Sequence, residues 1–333
     1  MLRFRLYYLL VFVLSMSGCR SNSWDIDISD VKIEQNFKRF DKDLFAVDHD
    51  SIWDYVPVFE KKYGSFFDLY NYGIINIGGT NQMDYADKLL YFITDPYIAQ
   101  AYKDADRVFA NEPYRHDIHD AFCRYHYYFP NKEIPNIYTH ISGFNQSIVI
   151  DSGLISISLD KYLGTNSKYY AMLHTPLYLK YNMHPAKIPS DVMLSWALTE
   201  FPRNGEDENM AGQMVYYGKI HLFLDAIMPN TPDSLKWGMS EKKLRWCKKN
   251  ERQMWLYLIE NKLLFSSSYK DIKRFIDDGP FTTPFSKESP ARTGRWLGYQ
   301  IVKSYLKHNA NVSLSKLMEA DNQKIFNESR YKP

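Results

Sequence analysis

Residues 190–204 read SDVMLSWALTEFPRN, and NMAGQMVYYGKIHLF follows from Asn209. The first stretch predicts an apolar helix that puts Trp196 and Glu200 four residues apart on one face. A turn and a second helix come next. Two histidines at that spacing, a glutamate beside the first and a third ligand from a later helix make an open zinc site. Here the first ligand position holds Trp196 and the position of the base holds Ala197. Glu200 alone keeps an oxygen for a metal, and the third ligand would fall near Tyr217, a poor zinc donor. An indole and a methyl group cannot grip a divalent cation. The expectation is a hydrolase frame without catalytic or metal residues.

Val192, Leu194, Trp196, Ala197, Leu198 and Phe201 cover nearly all sides of the first helix, which should therefore be buried. Ser190 and Asp191 follow Pro189 and suit a helix cap. A buried Glu200 needs a cation or hydrogen-bond donors, and Arg295 or Arg203 could supply them. On the second helix Met210, Met214, Tyr217, His221, Leu224 and Met228 recur at three- and four-residue steps. His221 in that stripe reads as a hydrogen-bonded core histidine rather than a ligand. Farther on, ESPARTGRWLGYQIVKSY (288–305) opens a helix near Pro290. Gly294 and Gly298 let another backbone come close, with Leu297, Ile301 and Tyr305 as the adjoining apolar row. Arg292, Arg295 and Trp296 on one turn are candidate contact residues.

Residues 34–130 read as helical, with breaks at Pro57, Gly78-Gly79 and Pro113. From Pro135 the pattern changes: NIYTHISG, QSIVI and LISISLDKYLG are short β-rich runs between turn residues. Ile155, Ile157 and Leu159 alternate with Ser156, Ser158 and Asp160, as in a strand with one wet face. The expected fold is α+β, mostly helical with a small antiparallel sheet and no βαβ alternation. The region 131–330 carries the metallopeptidase-like frame and packs with 34–130 as one unit. His116, His119, Asp120 and His126 lie near one another on a helix and read as an accidental surface group. GGTN (78–81) lacks a phosphate-loop pattern, and no cofactor is expected.

The first residues, MLRFRLYYLLVFVLSMSGC, have two arginines, an apolar run from Leu6 to Met16 and small residues before a cysteine. That run suits a signal peptide (1–18) rather than a membrane span. Cleavage between Gly18 and Cys19 would leave Cys19 lipidated, with 19–33 as a polar tether. The formal charge of +2 disappears with Arg3 and Arg5, so nothing marks a nucleic-acid partner. Cys123 and Cys247 could be a disulfide or two buried thiols. The chain is 16% aromatic with 27 Tyr, which suits packing or a glycan-stacking surface.

These segments together resemble the GldB family of gliding-motility lipoproteins of Bacteroidota. The matching pieces are IEQNFKRFDKDLF (33–45), YYFPNKEIPNIYTHISG (127–143), LISISLDKYLG (154–164) and AGQMVYYGKIHLFLDAIMPNTPDSLKWG (211–238). ENKLLFSSSYKDIKRFI (260–276) and ESPARTGRWLGYQIVKSYL (288–306) complete the set. SLDKYLG and PARTGRWLGYQIV are the most specific. The resemblance implies a lipid-anchored envelope protein, most simply at the outer membrane, that supports gliding motility or its secretion apparatus. It also implies a distant kinship with predicted HExxH zinc proteases whose metal residues are lost here. The leading expectation is a pseudoenzyme that binds or scaffolds another envelope protein. An extended segment of that partner could add to LISISLD or NIYTHIS as an edge strand. A hydrolase with unrecognised ligands and a glycan-binding surface lipoprotein are the alternatives.

Overall fold

The computed structural model describes Trp24, residues 26–203, Gly205 and residues 209–333. The leader, its cleavage position and Cys19 lie outside the described residues. Trp24 and residues 26–33, expected within the tether, are docked on the body. Trp24 meets Tyr128 edge-on, with ring centroids 6.2 Å apart. The Ile26 carbonyl accepts from the Arg124 guanidinium at 2.9 Å.

The fold is α+β, with helices on both sides of one four-stranded sheet. The strands are β1 (Phe37–Arg39), β2 (Asn136–His140), β3 (Ile148–Asp151) and β4 (Leu154–Ser158), in the order β1-β2-β4-β3. Only β3 and β4 pair antiparallel; β1–β2 and β2–β4 are parallel. The expected all-antiparallel sheet is thus corrected to a mixed one. After β2 the chain passes to the outer position, and a tight turn brings β4 back between β3 and β2. β1 joins β2 across the whole N-terminal helical region, a long β–helix–β crossover that hydrophobic periodicity does not reveal.

Alternation along the strands sends neighbouring residues into two separate cores. Ile137, Ile155 and Ile157 face the C-terminal helices, whereas Tyr138 and Leu154 face the N-terminal ones. The N-terminal core is built around Phe40, whose ring lies 4.8–5.9 Å from those of Phe59, Tyr63, Phe66, Phe67 and Tyr70. Beside it the fully buried Asp41 takes a charge-assisted pair from Arg39 at 2.6 Å and a hydrogen bond from Thr139. That polar tie joins the first helical turn (Phe40–Phe45) to β2 and explains why RFD sits at the start of the helical half. Pro57, expected as a break, lies inside the helix Ile52–Tyr63.

Because helices cover both faces, β4 has no wet side. Ser156, Ser158 and Asp160 are fully buried, which corrects the reading of their alternation. Hydrogen bonds replace the water. His140 Nδ1 and Ser156 Oγ are 2.6 Å apart, and Ser158 donates to Asp160 at 2.6 Å. The backbone N–H groups of Ser142 and Phe144 also donate to the Asp160 carboxylate. The LISIS and NIYTH strands are interior, so neither offers the free edge that strand addition requires. The edges are β1 and β3.

Among the C-terminal helices, Met210–Ile227 is buried along nearly its whole length. It crosses the helix Thr293–His308 at Gly218 and Gly298. A Cβ on Gly298 would stand 1.6 Å from the Met214 carbonyl oxygen, and one on Gly218 would stand 2.4 Å from the Gly298 carbonyl. The close approach read from Gly294 and Gly298 is therefore real, although helix Thr293–His308 begins three residues after Pro290. Both Cys123 and Cys247 are free and buried. Among the described residues, no helix is long and apolar enough to cross a membrane.

Gly298→Ala should destabilise the protein by about 3 kcal/mol or more, the upper end of overpacking costs, because the obstacle is backbone rather than a movable side chain. The Cβ of Gly279→Ala meets nothing closer than 3.9 Å and should change stability by less than about 0.5 kcal/mol. Urea unfolding of the two variants separates these outcomes.

Candidate functional site

The helix Ile188–Glu200 does bring Trp196 and Glu200 side by side, but it turns them toward the helix Arg115–Tyr128. The Trp196 ring lies edge-on to Phe122 and Tyr125 at 5.7 and 6.0 Å, and Ala197 beside it is fully buried. Glu200 pairs with Lys132, which takes the part expected of Arg295 or Arg203. Arg203 is exposed, and Arg295 lies in a different place. The Tyr125 hydroxyl neighbours this pair; burial and the Glu200 charge push its pKa above that of an ordinary phenol. Tyr217, the third position, faces away and packs flat beneath Arg295, whose guanidinium carbon is 4.0 Å from the ring centre.

The positions expected to correspond to zinc ligands therefore do not converge. Among the described residues no three His, Cys, Asp or Glu side chains are grouped to hold a metal. His116 instead reaches Asp120 at 3.5 Å. The donor set does not fit a zinc ion, and no metal-dependent step can be built from it.

A cavity of about 380 Å3 lies where helices Ile188–Glu200, Asp233–Trp237 and Thr293–His308 meet the turn after β4. Its lining includes Lys161, Lys187, Lys236, Arg292 and Arg295. Lys187 is held by Asp191, which also accepts from Tyr162 at 3.0 Å. Asp191 thus lines the cavity and Ser190 accepts from Lys187 behind it; neither makes a side-chain cap bond. Lys236 is held by Asp225 and by Asp233 at 3.3 Å. Arg292 donates to the Trp237 carbonyl at 2.9 Å and lies 3.7 Å from Asp278. Its backbone is left-handed, φ 59°, an unusual conformation for a side-chain-bearing residue. That turn ends the incoming loop and aims the guanidinium at Trp237.

Arg295 and Lys161 have no carboxylate at ion-pairing distance among the described residues. Arg295 donates Nε to the Ile276 carbonyl at 2.6 Å, and Lys161 donates to the Phe144 carbonyl at 3.1 Å. Burial, reinforced by the charge of Arg292, lowers the Arg295 pKa to about 10. Burial also lowers that of Lys161. Beneath them His221 stacks on Trp237, centroids 3.6 Å apart, and its Nδ1 has no hydrogen-bond partner. Burial first, then the charges of Arg295, Arg292, Lys187 and Lys236, hold His221 neutral far below its usual range. The ring is a core histidine, stacked on Trp237 with Nδ1 unbonded, and it senses a cationic chamber. Trp296 plays no part: it is 2% exposed and belongs to the core.

Reading the sequence found Arg292 and Arg295 and missed Lys161, Lys187 and Lys236. The pairs Lys187/Asp191 and Asp233/Lys236, at helical spacing, were the available signal, but such pairs usually mark a solvated surface.

A neutral folded-state His221 binds no proton where an unfolded one does, so its contribution is present above the unfolded pKa and lost as pH falls. Lowering pH from 7 to 5 should remove about 2 kcal/mol of unfolding free energy through this residue. His221→Phe keeps a ring on Trp237 and should flatten the pH dependence of urea unfolding by that amount. An unchanged slope would contradict the assignment.

No curated protein and no solved structure matches the chain. A family model described as gliding motility protein GldB covers residues 21–333, which takes in the sheet, the glycine crossing and the cationic chamber; the chain belongs to the GldB family.

Proposed function

We propose that this protein is a lipid-anchored envelope component of the gliding-motility type that acts by binding another envelope protein, without catalysis. Cys19 would carry the anchor, most simply at the outer membrane. The metallopeptidase-like frame would be an inheritance whose ligand positions now serve packing and ion pairing. One observation carries the binding role. Met172, Leu173, Leu177, Leu179 and Tyr181 form an exposed apolar stretch in which Leu177 is 83% accessible. Exposed apolar groups gathered in this way mark interaction sites. The stretch borders the cationic chamber, since Leu179 lines it as well.

A photo-crosslinker at Leu173 or Leu177 in intact cells should capture an envelope protein. The same probe at Tyr91, exposed on the N-terminal half, should not. Capture of lipid alone, or of nothing, at the apolar stretch would remove the partner-binding role. Metal analysis with a peptide-library cleavage assay tests the second half of the reading. Absence of stoichiometric zinc and of turnover is expected; zinc together with cleavage would make the protein a hydrolase.

A further inference from the structure

The cationic chamber has neighbours. It shares Asn182, Gly238, Asp278 and Arg292 with a neighbouring hollow of about 350 Å3. That hollow is walled mainly by Leu177, Tyr178, Tyr181, Met239, Pro290 and Ala291. It shares Asp278, Gly279 and Pro280 with a third depression, bordered by Lys270, Lys273 and Arg274. The three adjoin in series, so an extended ligand lying across them would meet a charged pocket, an apolar section and a border carrying three basic side chains.

The charges in the pocket are unequally matched. Lys187, Lys236 and Arg292 face Asp191, Asp225, Asp233 and Asp278. Arg295 and Lys161 bond backbone carbonyls and have no carboxylate within ion-pair distance, although Asp277 and Asp278 lie near the first and Asp160 near the second. With the other cations already held by carboxylates, the two that lack an ion pair suit a monoanion better than a dianionic phosphate. A planar guanidinium and an ammonium with donors to spare suit the two oxygens of a carboxylate. Immediately beyond, the wall is apolar.

We propose that these adjoining hollows recognise the free C-terminus of a protein whose last residues are apolar, with the terminal carboxylate between Arg295 and Lys161 and the adjoining side chains over Leu177, Tyr181 and Met239. Capture of a chain end needs this combination of an anion pocket and an apolar trough. The inference names the chemistry of the envelope partner and so rests on the reading above. The side wall is already in place: Tyr217 supports Arg295 from below, and the left-handed Arg292 joins pocket to trough.

The test uses the full chain and N-acetylated hexapeptides ending in leucine or valine, with binding followed by fluorescence anisotropy. The free acids should bind, and their C-terminal amides should bind about tenfold or more weakly, the worth of a charge-assisted hydrogen bond. Lys161→Gln and Arg295→Gln should each weaken the acid by about tenfold and leave the amide unchanged. Lys161 is half-buried and holds only one backbone carbonyl, so that variant carries the test if Arg295→Gln fails to fold. Equal binding of acid and amide, or no binding by any peptide, would overturn the assignment. Stronger competition by inorganic phosphate or octanoate than by the peptides would overturn it too, by giving the pocket to another anion. Crosslinking from Leu177 to a protein in cells, with no preference for acid over amide, would remove the carboxylate and leave the partner.

Discussion

The crossing of helices Met210–Ile227 and Thr293–His308 governs the C-terminal half of the molecule. Two backbones meet there with no side chain between them, because Gly218 and Gly298 lie face to face. That contact fixes how the second helix sits along the first. It brings Arg295 over Tyr217 and puts the Tyr299 hydroxyl against Asp225, which in turn holds Lys236. His221, one turn beyond Tyr217, is pressed onto Trp237. The geometry of the cationic chamber is thus a by-product of one close helix contact, and the glycines hold it without touching it.

The sheet plays the corresponding part for the whole chain. It is small, yet both faces are buried, so it joins an aromatic N-terminal layer to a helical C-terminal one. Buried polar side chains are costly unless hydrogen-bonded. The Ser142–Ser158–Asp160 cluster and the His140–Ser156 pair meet most of that demand at the centre of the molecule, with His140 Nε2 left without a partner. Burial holds the His140 pKa at about 3, so this ring stays neutral throughout the physiological range. The polar face of β4 therefore specifies its pairing against the N-terminal layer as tightly as the apolar face specifies the other side.

Much of this was legible in the residues, and the reasons differ from place to place. The helical halves, the β-rich middle and the glycine crossing follow from local periodicity and from residue size. The strand pairing does not, because FKR is too short to carry a pattern and its partner lies about 100 positions away. The alternation in LISISLD was read correctly as strand and wrongly as half-solvated, since sequence cannot tell water from a hydrogen-bonding core. Trp196 and Ala197 offer a metal no lone pair, and that much is plain from residue type. Residue type does not tell that Tyr217 packs beneath Arg295, or that Lys132 neutralises Glu200. The chamber itself draws lysines from three separate turns and arginines from a fourth, a convergence that no local stretch records.

The two buried cysteines bear on chemical durability. Burial pushes the Cys247 thiol up to about 12 and raises that of Cys123. At neutral pH only about one Cys247 in 10⁵ is thiolate, and the thiolate is the species that attacks disulfides and oxidants. A chain with these unpaired sulfurs can therefore endure an oxidising milieu without scrambling or cross-linking to its neighbours. Its redox inertness lasts as long as the core stays closed, and derivatisation of Cys247 becomes a clock for the opening of the C-terminal helices.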